Sequence, residues 1–89
     1  MQKHPGYKIL FRCDPHLAQQ FIASVPVWCT RMTVEVKLVS TKRIKHEVEV
    51  EFETRWDANE HSLEAIKQRL TATKPIRNVR IVPPAVKPK

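Results

Sequence analysis

The feature that most constrains the fold is a stretch over residues 43–54 in which apolar and charged side chains alternate without a break. The even-numbered positions carry Ile44, His46, Val48, Val50 and Phe52, and the odd-numbered positions carry Lys45, Glu47, Glu49, Glu51 and Glu53. Successive side chains of a β-strand point to opposite faces of the sheet. The stretch therefore predicts a strand with one face in a hydrophobic core and the other in water.

Strand and helix patterns follow one another in the N-terminal half. Residues 7–13 alternate and predict a first strand, after which Asp14 supplies a helix cap and Pro15 suits the first helical position. Apolar residues at helical spacing come next, and we expect Pro26 to end that helix. Alternation returns over residues 28–39, which predicts a second strand.

The polar residues 40–43 are expected to form the turn into the alternating stretch, so that the second and third strands make a long hairpin. Asp57 opens a capping box that Glu60 closes three residues later. A second amphipathic helix follows, and Pro75 blocks its extension. Its apolar stripe comprises Leu63, Ile66 and Leu70. Residues 76–82 predict a short last strand.

The order β-α-β-β-α-β predicts an α+β protein with a ferredoxin-like sandwich, in which a four-stranded antiparallel sheet of order 4-1-3-2 carries both helices on one face. The domain is expected to span residues 7–82, between an N-terminal lead-in over 1–6 and an extended proline- and lysine-rich tail over 83–89. The predicted core comprises Ile9, Phe11, Phe21, Ile22, Val34, Val36, Val48, Val50, Phe52, Leu63, Ile66, Leu70, Val79 and Ile81.

The net charge of +7 on 89 residues is distributed unevenly along the chain. Both ends are basic, whereas residues 47–64 hold seven acids against Arg55 alone. A basic surface attracts nucleic acid, an anionic membrane or an acidic protein face. The sequence shows no apolar run long enough to span a bilayer and no hydrophobic N-terminal signal, so we expect a cytoplasmic protein, in the host cytoplasm if it is viral, with no membrane partner.

The residue types of an active site are sparse. The glutamate row would repel phosphate and its face lacks stacking aromatics, which argues against an RNA-recognition platform. Gly6, the single glycine, precedes the first strand, so no glycine-rich loop is available to cradle a phosphate. A structural zinc site needs four ligands, and the first loop offers only Cys13 and His16. We expect no enzyme activity, no metal, no cofactor and no small-molecule substrate.

The two cysteines are interpreted as small apolar fillers, which suits a reducing compartment. Cys13 is expected at the end of the first strand and Cys29 near the start of the second, at opposite ends of the sheet. That separation makes a disulfide between them improbable.

Two basic elements remain without acidic neighbours in the predicted sheet, and we expect them to bind the partner. They are the hairpin tip with Lys42, Arg43 and Lys45, and the last strand and tail with Lys74, Arg77, Arg80, Lys87 and Lys89. The last strand is also a sheet edge. Its charge fits either an edge that docks an extended partner or a second copy, or an edge protected against aggregation.

Opposite charges on neighbouring strands are expected to neutralise the glutamate row. The neutralising residues are Lys8 and Arg12 on one side, and Arg31 and Lys37 on the other. Val79 and Ile81 are expected to face the core. Alternation along the last strand therefore places Arg80, but not Arg77, on the opposite face of the sheet, which is open to solvent and also carries Lys8 and Arg12.

The C-terminal half, about residues 45–89, resembles the small RNA-polymerase inhibitors encoded by podoviral coliphages. The similarity lies in a glutamate-bearing strand, an acid-capped helix, and a last strand and tail that read VRIVPPAVKPK over residues 79–89. The resemblance implies that a basic strand binds the large subunit of RNA polymerase, with Arg77 and Arg80 at the matching positions. A tiny, basic, non-catalytic chain also resembles phage host-takeover and anti-defence factors in general.

Together these observations predict a small basic binding protein, encoded by a phage or mobile element, that docks on a host nucleic-acid-handling machine and inhibits or modulates it. The alternative is direct DNA or RNA binding through the hairpin tip and the basic C-terminal strand. A third class is a metal-dependent nuclease, because Asp14 follows the first strand, where small ferredoxin-like nucleases such as the CRISPR-associated integration factor keep a metal-binding aspartate. The loop around Asp14 offers no second acid, and helix capping already accounts for this residue.

Overall fold

Six secondary-structure elements follow one another in the predicted order, in a computed structural model that describes residues 6–84. They are β1 (Lys8–Cys13), α1 (Pro15–Arg31), β2 (Val36–Ile44), β3 (Glu47–Thr54), α2 (Glu60–Ala72) and β4 (Arg77–Val82). The strands form one antiparallel sheet in the order β2-β3-β1-β4, which is the predicted order read from the opposite edge. Within this part of the chain, neither helix is long and apolar enough to cross a membrane.

The hydrophobic core lies between one face of the sheet and both helices. Phe11 and Phe52 are fully buried and stack with ring centroids 6.3 Å apart, while Phe21 of α1 meets Phe11 edge-on at 6.2 Å. Most of the predicted core is buried, and the exceptions, which are Ile22, Val36, Val48, Val79 and Ile81, are partly buried against it. The prediction omitted Cys13, Ala18, Val25, Cys29 and Ile76, all of which are buried. The inward and outward parities of β1 and β3 are therefore confirmed.

Helix α1 is longer than predicted, because it continues through Pro26 to Arg31. Pro26 lacks the N–H that would bond to the carbonyl four residues earlier, which weakens a helix interior. Val25 and Cys29, on either side of it, are fully buried on the core face of the helix. Burial of an aliphatic side chain contributes about 1.5–3 kcal/mol, which offsets much of that loss. The expectation that Pro26 ends the helix and that a strand starts at residue 28 is therefore wrong.

The end of α1 is a Schellman motif that holds Thr33 in the left-handed region, with φ 61°. The Thr33 N–H donates to the Thr30 carbonyl, and the Val34 N–H donates to the Cys29 carbonyl, both at 2.9 Å. Val34 and Cys29 are buried, as this motif usually requires of the two residues that close it. Threonine here replaces the usual glycine, so the sequence carries no signal for this helix end.

The β2–β3 hairpin turns at Lys45 and His46 rather than at residues 40–43. Ile44 pairs with Glu47 across this two-residue loop, and Lys45 takes the positive φ (55°) that tight hairpin loops favour at this position. β2 continues through residues 40–43 because none of its residues is buried, so a polar run does not interrupt any core contact. His46, which was predicted to point inward, is exposed in the loop.

Helix α2 begins two residues later than the predicted capping box implies. Its N-cap is Asn59, whose Oδ1 accepts from the N–H groups of His61 at 2.8 Å and Ser62 at 3.2 Å. Asp57 instead pairs with Arg55, with 3.2 Å between Oδ1 and Nε. An amide and a carboxylate cap equally well, so the sequence alone did not distinguish the two positions.

The N-terminal lead-in joins the packed domain at Gly6, which is buried. A Cβ at this position would lie 1.7 Å from the Thr54 carbonyl oxygen, so only glycine allows the approach. The next residue is held on the same partner, because the Tyr7 N–H donates to Thr54 Oγ1 at 3.1 Å and the Tyr7 carbonyl accepts from the Thr54 N–H at 2.9 Å. The role of this glycine was missed.

Candidate functional site

The sheet face opposite the helices is covered by no helix or strand of residues 6–84, and we call it the open face. The four glutamates of β3 form its central row. The register places Lys8, Leu10 and Arg12 of β1 on one side of this row and Lys37, Ser40, Lys42 and Ile44 of β2 on the other, while Arg77, Arg80 and Val82 of β4 lie beyond β1. The open face is therefore a charged surface with an acidic centre and basic flanks.

Ion pairs across the open face neutralise much of the glutamate row, both between the neighbouring strands β1 and β3 and from β4 past β1 to β3. They join Lys8 to Glu51 at 3.3 Å, Arg12 to Glu49 at 3.3 Å and Arg80 to Glu49 at 2.8 Å. The prediction is confirmed for Lys8 and Arg12, and Lys37 stands opposite Glu53 in the register of β2 and β3. Arg31 was wrongly placed, because it lies in the last turn of α1 rather than on the sheet.

Both arginines of β4 lie on the open face, contrary to the prediction that only Arg80 does. Arg80 pairs with Leu10 and Arg77 pairs with Arg12, so β4 has one residue more than β1 between these two rungs. Asn78 lies in this bulge with a φ of 53°. An extra residue reverses the inward and outward parity of everything that precedes it, which returns Arg77 to the open face.

Arg77 joins three elements at one end of the sheet. Its Nη2 donates to Asp14 Oδ1 at 2.9 Å, and its Nε donates to Glu47 Oε2. These hydrogen bonds, to Asp14 first and then to Glu47, raise the pKa of Arg77 above its usual value. The side chain of Asp14 does not cap α1, although its carbonyl accepts from the Leu17 N–H. Asp14 therefore acts as an ion-pair partner, whereas it was predicted as a cap.

The hairpin end of β2 and β3 carries cations that lack acidic partners. We define the basic tip as Lys42, Arg43 and Lys45. All three side chains are exposed, and none of them forms a salt bridge with the described part of the chain. The Arg43 Nε donates to the Lys45 carbonyl, at 3.4 Å. The basic tip is thus the main concentration of unpaired positive charge on the sheet.

The structure brings the two predicted basic elements to the same end of the sheet. The contact of Arg77 with Glu47 joins the start of β4 to the residue that follows the hairpin loop. Lys74, exposed in the connection from α2 to β4, precedes Arg77 at this end. Lys87 and Lys89, with most of the predicted tail, lie outside the described residues. This convergence follows from the sheet topology, because β3 and β4 both pair antiparallel with β1 and therefore begin at the same end of the sheet.

Both cysteines are free and buried, so their interpretation as apolar fillers is confirmed. Cys29 lies in α1 rather than at the start of β2, because the helix passes through Pro26. Burial raises the pKa of Cys29 to about 11. Burial, and then the neighbouring Asp14 carboxylate, also raise the pKa of Cys13. Among residues 6–84, no three His, Cys, Asp or Glu side chains are grouped so that they could hold a metal ion.

A shallow cleft of about 220 Å³ lies between α2 and the sheet. Its lining comprises Tyr7, Glu60, Leu63, Glu64, Lys67 and Ile81, and the Tyr7 hydroxyl donates to Glu60 Oε2 at 3.4 Å. The cleft was not predicted, since its residues come from α2, from β4 and from Tyr7, which precedes β1. No protein-family model matches this chain, and a search of curated proteins also returns no match.

Proposed function

We propose that this chain is a small non-catalytic binding protein, encoded by a phage or mobile element, that docks its basic tip on an acidic surface of a host nucleic-acid-handling machine and modulates or inhibits it. We also assign its two crossovers and central hairpin to the ferredoxin-like plait. The RNA-polymerase inhibitors that residues 45–89 resemble suggest one candidate machine, bacterial RNA polymerase.

The observation that carries this proposal is the contrast between paired and unpaired charge. On the open face, Glu47, Glu49 and Glu51 are each engaged by a basic side chain. The basic tip, in contrast, presents three exposed cations within four residues at the end of the hairpin. Unpaired surface charge of this kind speeds encounter with an acidic partner and makes binding sensitive to salt.

An acidic protein patch fits this arrangement better than a nucleic-acid backbone does. The glutamate row begins immediately behind the tip, with Glu47 following the loop and Glu49 opposite Lys42. A phosphate backbone that continued along the open face would meet these carboxylates. A compact acidic patch would contact the tip alone and avoid them.

Direct nucleic-acid binding remains the second candidate, and one observation favours it. The basic tip presents three exposed cations that no acid of the described residues engages, and cations of this kind can bind phosphates of a nucleic-acid backbone. The nuclease candidate has less support, because the Asp14 carboxylate is held by Arg77, whose positive charge would oppose a metal ion at this position.

The experiment that separates these candidates is affinity capture with the full chain from bacterial lysate, in parallel with and without nuclease treatment. The proposal predicts that a specific protein partner is retained after nuclease treatment and is released by salt. If every captured protein disappears after nuclease treatment, and the chain binds duplex DNA with a steep salt dependence, direct nucleic-acid binding is correct instead.

A further inference from the structure

We propose that the outer edge of β2 binds an extended strand of the partner in which acidic and apolar side chains alternate. This inference rests on the proposed function and names the chemistry of the partner segment. The basic tip would then attract the partner, and the edge beside it would bind the strand. Such strand addition derives affinity from backbone hydrogen bonds and specificity from alternate side chains.

β2 is an edge strand with an exposed surface along its whole length. It is the first strand in the order β2-β3-β1-β4, so within residues 6–84 only β3 pairs with it. Its nine residues, Val36–Ile44, are all exposed or partly exposed. In an antiparallel strand, alternate residues direct their N–H and C=O groups away from the paired neighbour. β2 therefore offers a row of backbone donors and acceptors to a second strand.

On its inner edge, β2 already pairs with a strand in which acidic and apolar side chains alternate. β3 has the sequence EVEVEFET, and it places Glu53 opposite Lys37 and Glu49 opposite Lys42. Side chains stand on the faces of a sheet, not on its edges, so both lysines are reachable from the outer edge as well. The chemistry of β3 is therefore a template for an outer strand.

The helix side of β2 leaves apolar surface exposed where such a strand would lie. Leu38 is 44% exposed and Val39, at the bulge, is 45% exposed. Val27 of α1, the helix that packs against β2, is 49% exposed. The apolar side chains of an added strand would cover part of this surface while its acids face Lys37 and Lys42. Opposite charges directly across strands contribute about 0.2–1 kcal/mol each.

Charge argues against two alternatives, which are a second copy of the chain at the β2 edge and an acidic strand at the opposite edge of the sheet. A second copy that paired through β2 would bring Lys37, Lys42 and Arg43 close to the same residues of its twin, and like charges across strands are destabilising. The opposite edge, β4, is less suitable for an acidic strand, because Arg77 and Arg80 are already paired with acids of the sheet. In contrast, Lys37 and Lys42 form no salt bridge with the described residues.

The test uses the chain's own strand as the probe. A fluorescent, end-capped peptide of sequence EVEVEFET is titrated with the full-length protein, and binding is followed by anisotropy. Two control peptides are run in parallel: the charge-reversed KVKVKFKT, and a scrambled peptide of the same composition that does not alternate. We expect the probe to bind at least fivefold more tightly than either control.

Amide hydrogen exchange reports where the probe binds. Amides of Val36–Ile44 that face away from β3 should exchange quickly in the free protein and slowly with the peptide bound. The variant Lys37→Gln/Leu38→Ser should bind the probe at least fivefold more weakly, while Arg31→Gln/Lys67→Gln, which removes two exposed cations from the helices, should bind it within about twofold of wild type. Circular dichroism checks that both variants remain folded.

Three results would overturn strand addition: equal binding of the probe and the scrambled peptide, protection at β4 instead of β2, or no loss of binding in Lys37→Gln/Leu38→Ser. The two proposals fail separately. If lysate capture depends on the basic tip but the probe does not bind, the docking function stands and the edge proposal is wrong. If the probe binds β2 but no protein survives nuclease treatment, the edge binds such a strand but the proposed function is wrong.

Discussion

Thr33→Gly should stabilise the protein, because Thr33 occupies a left-handed position that suits glycine. With φ 61°, Thr33 closes the Schellman motif at the end of α1. Only its backbone N–H, which donates to Thr30, takes part in the motif, so a glycine would keep that hydrogen bond. The hydroxyl donates to the adjacent Met32 carbonyl at an exposed position, and its loss should matter little.

The magnitude follows from two opposing effects. Left-handed backbone costs an L-residue about 1–2 kcal/mol relative to glycine. Glycine also gains freedom in the unfolded chain, which offsets about 0.4–1 kcal/mol of that benefit. The net gain in the free energy of unfolding is therefore about 1 kcal/mol, or a Tm rise of about 4–8 °C for a domain of this size.

The assay is thermal and urea unfolding followed by circular dichroism, with Thr33→Ala as the matched control. Alanine also lacks the hydroxyl and the β-branch but keeps the Cβ that causes the strain, so it should give little or none of the gain. If Thr33→Gly is no more stable than wild type, or if Thr33→Ala gains as much, the argument from backbone strain is wrong.

Three further changes test the fold and the open face. Val50→Asp should abolish cooperative unfolding in thermal melts because Val50 is fully buried, whereas Glu49→Ala on the open face should stay folded. The reverse outcome would mean that the two faces of the sheet are misassigned. The raised pKa of Cys29 keeps its thiol protonated in the folded state, so the free energy of unfolding should fall as pH rises from about 9 to about 11, by at most about 1.4 kcal/mol per pH unit. In urea titrations at each pH, Cys29→Ala should show a smaller decline than wild type, and the part that remains is expected from Cys13, whose pKa is also raised. Arg77→Glu places a third acid beside Asp14 and Glu47, so its Tm should fall at low salt and partly recover in about 1 M salt. A Tm unaffected by salt would contradict the role given to the ion pairs of Arg77.

The order of the elements could be predicted because apolar residues recur at helical or strand spacing wherever an element packs against the core. β3 shows this best, since Val50 and Phe52 are fully buried on one side and glutamates line the other. Prediction failed for β2, where the core did not constrain the chain. β2 has no buried residue, so its length and its turn at Lys45 left no clear trace in the sequence.

The boundaries that were missed depend on tertiary contacts or on unusual backbone. Pro26 stays inside α1 because Val25 and Cys29 are buried on either side of it. Thr33 ends that helix without the glycine that would have marked its position. Local sequence carries neither signal, so the end of α1 was predicted too early.

The candidate site was predictable as a set of residue types but not as an arrangement. Lys42, Arg43 and Lys45 stand out from the sequence as unbalanced cations. That Arg77 shares the open face with Arg80 depends on one extra residue at Asn78, which no alternating pattern reveals. A bulge reverses which residues of a strand face the core, and an alternating sequence pattern does not show where a bulge occurs.

The central claim is that the basic tip docks on an acidic protein surface, and a matched pair of variants tests it most directly. Arg43→Gln/Lys45→Gln removes two positive charges from the tip, and Arg31→Gln/Lys67→Gln removes the same two residue types from exposed positions on α1 and α2. The measurement is the amount of each protein captured from nuclease-treated bacterial lysate, quantified by mass spectrometry for wild type and both variants. We expect the tip variant to capture at least tenfold less of the specific partner than wild type, which is equivalent to more than about 1.4 kcal/mol of binding free energy at the tip. The control variant should capture an amount within about twofold of wild type. Equal capture by both variants, or equal loss in both, would contradict the claim.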